Sequence, residues 1–463
     1  MTTVDTILAH AAARRDASRA RWFEWLRIPS VSAQPQHAPD CRRAAEWMAE
    51  QLRAIGFTAE LKDTAGHPVV LGHHPGPTGG GRHLLFYGHY DVQPAEPLEL
   101  WTSPPFEPVL VDGPHGQRAV ARGAVDDKGQ VMTWLEALRF WHDTQGGPPC
   151  RVTVMVEGEE ETGSKNLPDF LDAHADALRD ADVVVISDSN MWNLDTPSIV
   201  TSVRGLLYTQ LDITAANKDL HSGLYGGSAL NPINLITRIL GDLKDDTGEI
   251  LIRGFYDDVP ELSAAQRAQW DALQFDEGAF LGGVGLSVPS GEITRAPLER
   301  LWARPTVDVN GIWGGYTGEG AKTVIPSTAH AKVSFRLVAG QSATKVLAGF
   351  RDFIVARLPD DAQVKIQVFS LGEGLQIPAD SPFVRAAQVA LTAEFGKPAV
   401  LQGGGGSLPV VGQIKEIIGL DCLLVGFGLD DDQVHSPNEK FDLVCFERGI
   451  DSHIRLLAAL AEA

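Results

Sequence analysis

The residues able to do chemistry in this chain sit in short clusters at the ends of apolar runs. Arg82-His83-Leu84-Leu85-Phe86-Tyr87 is short and apolar enough for a buried strand, and it leads into Gly88-His89-Tyr90-Asp91-Val92. Side chains two apart on a strand point the same way. His89 can therefore bind a metal through one ring nitrogen while Asp91 orients the ring, although on its own the pair reads as readily as a loop His beside a turn Asp. Asp126-Asp127 stands just ahead of a helical pattern from about Gln130 to Trp141, where a lone pair would simply cap the helix. The apolar run Arg151 to Val156 enters Glu157-Gly158-Glu159-Glu160-Glu161, carboxylates that repel one another unless solvent or cations balance them. Asp182 to Ile186 likewise runs into Ser187-Asp188. One acidic strand end is common. Several in series suggest a shared cation site, because that many unpaired carboxylates are costly to gather.

The elements that must position these groups alternate between apolar strands and helices, which predicts an α/β sheet domain with its site outside the strand ends. Asp5 to Leu26 reads as one amphipathic helix, and a second runs from about Asp40 to Ile55. Gln93 to Gly116 reads as Pro- and Gly-rich loop. After Ser202 the pattern changes: strand (Leu206 to Thr214), helix (Asn231 to Leu243), a long irregular segment to about Gly320, then strand, helix and strand (Thr328 to Val338, Ser342 to Leu358, Gln363 to Phe369). That order predicts an inserted α+β layer of the ferredoxin-like type. The expected division is 1–204 and 379–463 for the sheet domain and 205–378 for the insert. From Ser381 the first style returns, with a helix, the glycine run Gly403 to Gly406 before Ser407, a helix from about Gln413, a strand (Cys422 to Gly426), the polar stretch Asp430 to Lys440 containing His435, and a last helix.

Composition narrows the function classes. The chain has 463 residues, too many for one ordinary core, so two domains are expected. Lys and Arg number 39 against 60 Asp and Glu, a net charge of −21, and no basic block occurs, which disfavours nucleic acid as a partner. Four cysteines without a CxxC pair make no disulfide framework, so a cytoplasmic setting is expected. The first residues lack the apolar core of a signal peptide, and no run is long enough to span a membrane.

Four motifs occur in order: Gly-His-Tyr-Asp-Val-Gln-Pro at 88–94, Arg-Gly-Ala-Val-Asp-Asp-Lys-Gly at 122–129, Glu-Gly-Glu-Glu-Glu-Thr-Gly-Ser at 157–164 and His-Ser-Pro-Asn-Glu-Lys at 435–440. Together they resemble the co-catalytic two-zinc metallopeptidases, the family of carnosinase-type and cytosolic nonspecific dipeptidases, and the resemblance covers essentially the whole chain. It implies a zinc-peptidase-like mixed sheet flanked by helices, with the insert as lid and dimerisation domain. It further implies that His89 and His435 ligate one metal each, that Asp126 bridges both, and that Glu161 and Asp188 complete the two sets. By the same resemblance Asp91 orients His89, Glu160 is the general base acting on a water between the metals, and the Asp126–Asp127 peptide bond is cis. In the insert, His221 resembles the His that reaches across a dimer to the developing oxyanion, Arg336 the Arg that grips the substrate carboxylate, and Thr323 and Asn217 weaker contacts on that side. Ser407 and neighbouring amides could hold the same carboxylate, although Gln402-Gly403-Gly404 replaces side chains that carnosinase-like members usually carry just before Gly-Gly-Ser.

The donor types agree with this resemblance. Imidazole nitrogen and carboxylate oxygen without thiolate suit two divalent ions, Zn2+ first, with Mn2+ or Co2+ as alternatives. The expectation is a homodimeric metallodipeptidase acting on dipeptides with a free C-terminal carboxylate. An N-acyl-amino-acid deacylase using the same metals is the alternative. A catalytically silent protein that captures peptide or metal is the rival from another class, and it gives no reason for Glu160 beside an already complete ligand set.

Overall fold

A computed structural model of the protein describes residues 2–77, 81–405 and 408–463. Within these, the chain forms two compact units: 2–201, 377–402 and 409–463 make one, and 202–376 with 403–405 and 408 make the other. Among the described residues no helix is long and apolar enough to cross a membrane.

The first unit is built on a mixed sheet whose strands run Thr58–Lys62, Val69–His74, Arg151–Glu157, His83–His89, Val183–Ile186, Cys422–Leu424 and Ser198–Val203 in spatial order. The four strands at its centre are parallel: His83–His89 pairs with Arg151–Glu157 on one side and Val183–Ile186 on the other, and Val183–Ile186 pairs with Cys422–Leu424. Every residue of His83–His89 and of Val183–Ile186 is buried, as expected of parallel strands covered on both faces and written as unbroken apolar runs. Parallel pairing also fixes where the polar ends go. His89 lies opposite Glu157, and Tyr87 opposite Ile186. The segments carrying His89, Glu160–Glu161 and Asp188 therefore all leave the sheet at one edge.

The helix Lys128–Gln145 begins directly after Asp127 and is buried nearly all round. Its approach to the sheet requires Gly88: a Cβ there would stand 2.5 Å from Val131 Cγ2 and 2.9 Å from Asp127 Oδ2. The last helix, Leu443–Ala461, is tied to it by Trp141 Nε1 donating to the Ile454 carbonyl at 3.2 Å. His453 on that last helix is a fully buried core residue. It contacts Thr133 Oγ1 at 3.1 Å and Ser187 Oγ at 3.0 Å, and burial holds its ring neutral, with the pKa lowered to about 3.

Three local expectations need correction. The first helix is two, Thr3–Ala12 and Arg15–Leu26, because the chain tightens at Ala13–Arg14, where the Arg14 N–H bonds the Ala11 carbonyl. Such a 3₁₀-type turn needs neither Gly nor Pro and leaves no compositional mark. The expected loop Gln93 to Gly116 contains the strand Val109–Gly113, which pairs with Gly116–Val120 and through it with Lys440–Asp442. The irregular stretch of the insert carries the short helices Ala264–Asp271, Glu277–Gly282 and Pro297–Trp302, and also the strand Thr306–Gly314, which is defined by its pairing with Thr328–Leu337. Ser263 and Asp276 cap the first two through side-chain oxygens.

The second unit holds an antiparallel sheet in the order Thr306–Gly314, Thr328–Leu337, Gly205–Thr214, Gln363–Gly372. With helices Pro232–Gly241 and Ala343–Val355 this is a βαββαβ layer with the strand order of the ferredoxin-like type. Burial alternates along Thr328–Leu337, and the buried set, Ala329, Ala331, Val333, Phe335 and Leu337, joins Ile236, Ile239, Phe350 and Ile354 in one core. Part of the glycine run belongs to this unit. The Arg204 Nε donates to the Gly405 carbonyl at 2.7 Å, and a Cβ on Gly403 would stand 2.5 Å from Trp302 Cβ.

Candidate metal centre

The residues predicted as ligands come from five separate segments of the first unit, and they converge. His89 is fully buried, with Nε2 3.2 Å from Asp126 Oδ1 and 3.8 Å from Asp188 Oδ2. His435, half exposed, places Nε2 3.0 Å from Asp126 Oδ2 and 3.2 Å from Glu161 Oε2. Asp126 thus turns one oxygen to each imidazole. Two groups with metal-ligand spacing result, His89/Asp126/Asp188 and Asp126/Glu161/His435, and they share Asp126.

Local structure aims each side chain. His89 Nδ1 lies 3.1 Å from the Asp91 carbonyl oxygen and 3.4 Å from its carboxylate, leaving Nε2 to face the acidic residues. The Asp91 carboxylate also accepts from Ser32 Oγ at 2.6 Å and from the backbone N–H groups of Glu160 and Glu161 at 3.3 and 3.1 Å. One carboxylate therefore holds both the imidazole of one group and the turn carrying the carboxylate of the other. Gln93 Nε2 donates to Glu161 Oε2 at 2.7 Å. His435 sits at φ +60°, in the left-handed region that non-glycine residues seldom adopt, with Gln433 and Asn438 also left-handed. Asn438 anchors the loop by accepting from the Thr102 N–H at 2.7 Å and donating to the Leu100 carbonyl at 2.8 Å. The Asp126–Asp127 peptide bond is cis.

The electrostatics ask for a cation. His89 Nε2 is buried and makes no hydrogen bond, so the carboxylate oxygens beside it do not satisfy it as a donor. Burial works against a charge on His89, yet the Asp126 and Asp91 carboxylates push its pKa well above the ordinary value. His435, beside Asp126 and Glu161, is raised to about 10. Burial, then the Asp126 charge, raises Asp188 to about 8. Burial, reinforced by Glu161, Asp126 and Asp91, raises Glu160 to about 7. These carboxylates hold protons because burial, and then mutual repulsion, penalises their charged forms, and divalent ions would balance the charges instead. The oxygen and nitrogen donors, without sulfur, fit zinc, manganese or cobalt.

The sequence profile of peptidase family M20/M25/M40 matches residues 85–460, which takes in all of these segments. The chain belongs to this peptidase family. Among its relatives, the Cys-Gly metallodipeptidase dug1 of Schizosaccharomyces pombe is 29% identical over 451 residues, 94% of each chain. The human Beta-Ala-His dipeptidase is 28% identical, covering 90% of this chain and 85% of the relative. Among solved structures, the M20 family metallo-carboxypeptidase Sso-CP2 of Sulfolobus solfataricus superposes with a TM-score of 0.82 at 29% identity, covering 96% of this chain and 99% of that one.

Of the other residues predicted for this M20 chain, His221, Thr323 and Arg336 lie in the second unit. His221 and Thr323 are neighbours: Leu220–His221 pairs antiparallel with Val324–Ile325, and the Ser222 N–H bonds the Thr323 carbonyl at 3.2 Å. Both are exposed, and His221 Nδ1 accepts from the Gly223 N–H at 3.0 Å. Arg336 is half-buried on Thr328–Leu337, opposite Thr306 and Leu206 on the flanking strands. It is close enough to Arg204 that, after burial, it is the main cause lowering that guanidinium to about 10. Ser407 lies outside the described residues. Sequence reasoning missed Ser32 and Gln93. Gln93 stands inside a quoted motif, whereas nothing local to Ser32 marks it.

Proposed function

We propose that this chain is a metal-dependent dipeptidase that hydrolyses dipeptides with a free C-terminal carboxylate. The observation that carries the reading is the pair of donor groups sharing Asp126, with Glu160 outside both. Two divalent ions held there, Zn2+ first, would acidify a shared water and polarise the scissile carbonyl. His89, Asp126 and Asp188 would hold one ion, and Asp126, Glu161 and His435 the other. Glu160, on the turn Glu160–Thr162 whose N–H groups Asp91 accepts, takes the proton from the attacking water and returns it to the leaving amine. Asp91 keeps the His89 ring in place. Arg336 grips the substrate carboxylate through its guanidinium fork, Ser407 and Thr323 contribute polar contacts, and His221 donates to the developing oxyanion. In a homodimer of the cytoplasm, His221 of one copy would serve the centre of the other.

Dipeptides are favoured over longer peptides by the relatives, since the names of both dug1 and the human enzyme specify dipeptides. The test is a substrate panel: Ala-Ala, Leu-Gly, β-Ala-His, a tripeptide, a longer peptide and N-acetyl amino acids, assayed after chelation and after return of zinc, manganese or cobalt. Metal-dependent cleavage of the dipeptides alone is expected. Cleavage of only the acetylated compounds would replace the reading with a deacylase, and stepwise C-terminal trimming of the longer peptide would replace it with a carboxypeptidase.

A further inference from the structure

The motif His435 to Lys440 contains a carboxylate with no part in the proposed chemistry, Glu439, which is wholly buried and makes a dense set of contacts. Its Oε2 accepts from Arg122 Nη1 and from the Gly123 N–H, both at 2.8 Å. Its Oε1 accepts from the Val125 N–H at 2.9 Å and the Asp126 N–H at 3.1 Å. Each oxygen therefore uses both of its lone-pair directions. Arg122, also buried, donates through Nη2 to the Pro94 carbonyl at 3.2 Å, and its guanidinium lies over the Trp101 ring at 5.4 Å. The backbones agree: the Ala121 N–H bonds the Glu439 carbonyl at 3.1 Å, in line with the pairing of Gly116–Val120 with Lys440–Asp442.

We propose that Glu439, clamped by Arg122, is a positioning residue that holds three ligand-bearing segments of the metal centre in register. These are 89–94 with His89, 122–126 with Asp126, and 435–439 with His435. The inference rests on the metal-centre reading above and adds the device that presets it. Glu439 is four residues from one ligand and bonds the backbone N–H of another. Fixing that N–H anchors the backbone from which the Asp126 side chain turns one oxygen to each imidazole. Stability alone does not call for such a pair, because a buried ion pair is often no better than apolar residues of the same volume. Partners that orient metal ligands typically contribute about 10–100-fold to metal affinity.

Glu439→Gln is the discriminating substitution. Whichever way the amide turns, its NH2 faces two N–H donors, either Arg122 with Gly123 or Val125 with Asp126. Glu136→Gln is the control: Glu136 is an equally buried carboxylate held by Arg21, Arg139 and Ser18, none of them in the metal centre. The full-length chelated proteins are titrated with Co2+, reading affinity and the visible d–d absorption, alongside thermal unfolding without metal. Glu439→Gln should weaken Co2+ binding about 10–100-fold and alter the absorption bands, while Glu136→Gln lowers thermal stability and leaves both metal readouts unchanged. Wild-type affinity and bands in Glu439→Gln would overturn the proposal, as would an equal loss of affinity in Glu136→Gln. If Glu439→Gln does not fold, Glu439→Asp, which keeps the charge on a stem one methylene shorter, is read by the same criteria. Failure of the wild-type protein to bind Co2+ at all would overturn the metal-centre reading itself, a result distinct from an unaffected variant.

Discussion

Asp91→Asn is the substitution whose cost the structure lets one work out most fully. The carboxylate is buried and serves three partners besides the imidazole: Ser32 Oγ and the Glu161 N–H on Oδ2, and the Glu160 N–H on Oδ1. An amide nitrogen in place of Oδ1 would meet the Glu160 N–H and the His89 Nδ1 side of the ring, so it will settle in place of Oδ2. There it can still donate to Ser32 but loses the Glu161 N–H. The variant thus forfeits one hydrogen bond to a charged acceptor, about 1.5–3 kcal/mol, and the negative charge behind the His89 ring. At 1.4 kcal/mol per tenfold, kcat/KM should fall by about 10- to 150-fold. The assay is dipeptide hydrolysis at saturating metal, paired with a metal-binding titration. A variant within twofold of wild type in kcat/KM, with unchanged metal affinity, would refute the claim that Asp91 organises both halves of the centre.

Three further outcomes are expected. Glu160→Gln should keep full metal content and lose about 10²–10⁴-fold in kcat, the range for a general base; loss of metal on elemental analysis would instead make Glu160 a ligand. Arg336→Gln should raise KM for free dipeptides by about 10- to 100-fold, in keeping with a lost charge-assisted contact, while C-terminally amidated dipeptides should be insensitive to it; equal effects on both would remove Arg336 from carboxylate recognition. In the metal-free protein the raised pKa values set a pH dependence. Glu160 at about 7 against 4.5, Asp188 at about 8 against 3.8 and His435 at about 10 against 6.5 each bind a proton more tightly folded than unfolded. Their contribution is fully present below the unfolded values and is lost as pH rises through the folded ones. Metal bound by these residues would take the place of those protons. The gain in melting temperature on adding zinc should therefore widen between about pH 5 and pH 8, and a constant or shrinking gain would contradict the assigned electrostatics.

Much of this architecture was legible because burial on both faces writes parallel strands as unbroken apolar runs. His83–His89 and Val183–Ile186 are such runs, and the polar residues that end or follow them lie at the edge carrying the candidate metal centre. The insert was legible as well, since the alternation along Thr328–Leu337 records a sheet with one face on a core. What stayed hidden has no local period. The break at Ala13–Arg14 is a change of hydrogen bonding within a continuously helical composition. The strand Val109–Gly113 lies among prolines and glycines and is defined by its partners, Gly116–Val120 directly and Lys440–Asp442 beyond it. Ser32 reaches Asp91 across 59 positions, and Glu439 reaches Asp126 across 313. Such contacts follow from the tertiary fold, and a motif reading finds the candidate ligands before it finds the groups that hold them still.

The central claim is that two ions bind at groups sharing Asp126 and that hydrolysis depends on them. It is tested most directly by titrating the chelated protein with zinc while following bound metal and dipeptide turnover in the same samples. The account predicts two equivalents bound per chain, turnover absent from the metal-free protein and restored as the sites fill, and loss of tight binding at both sites in Asp126→Ala. Saturation at one equivalent, or hydrolysis undiminished after complete removal of metal, would contradict it.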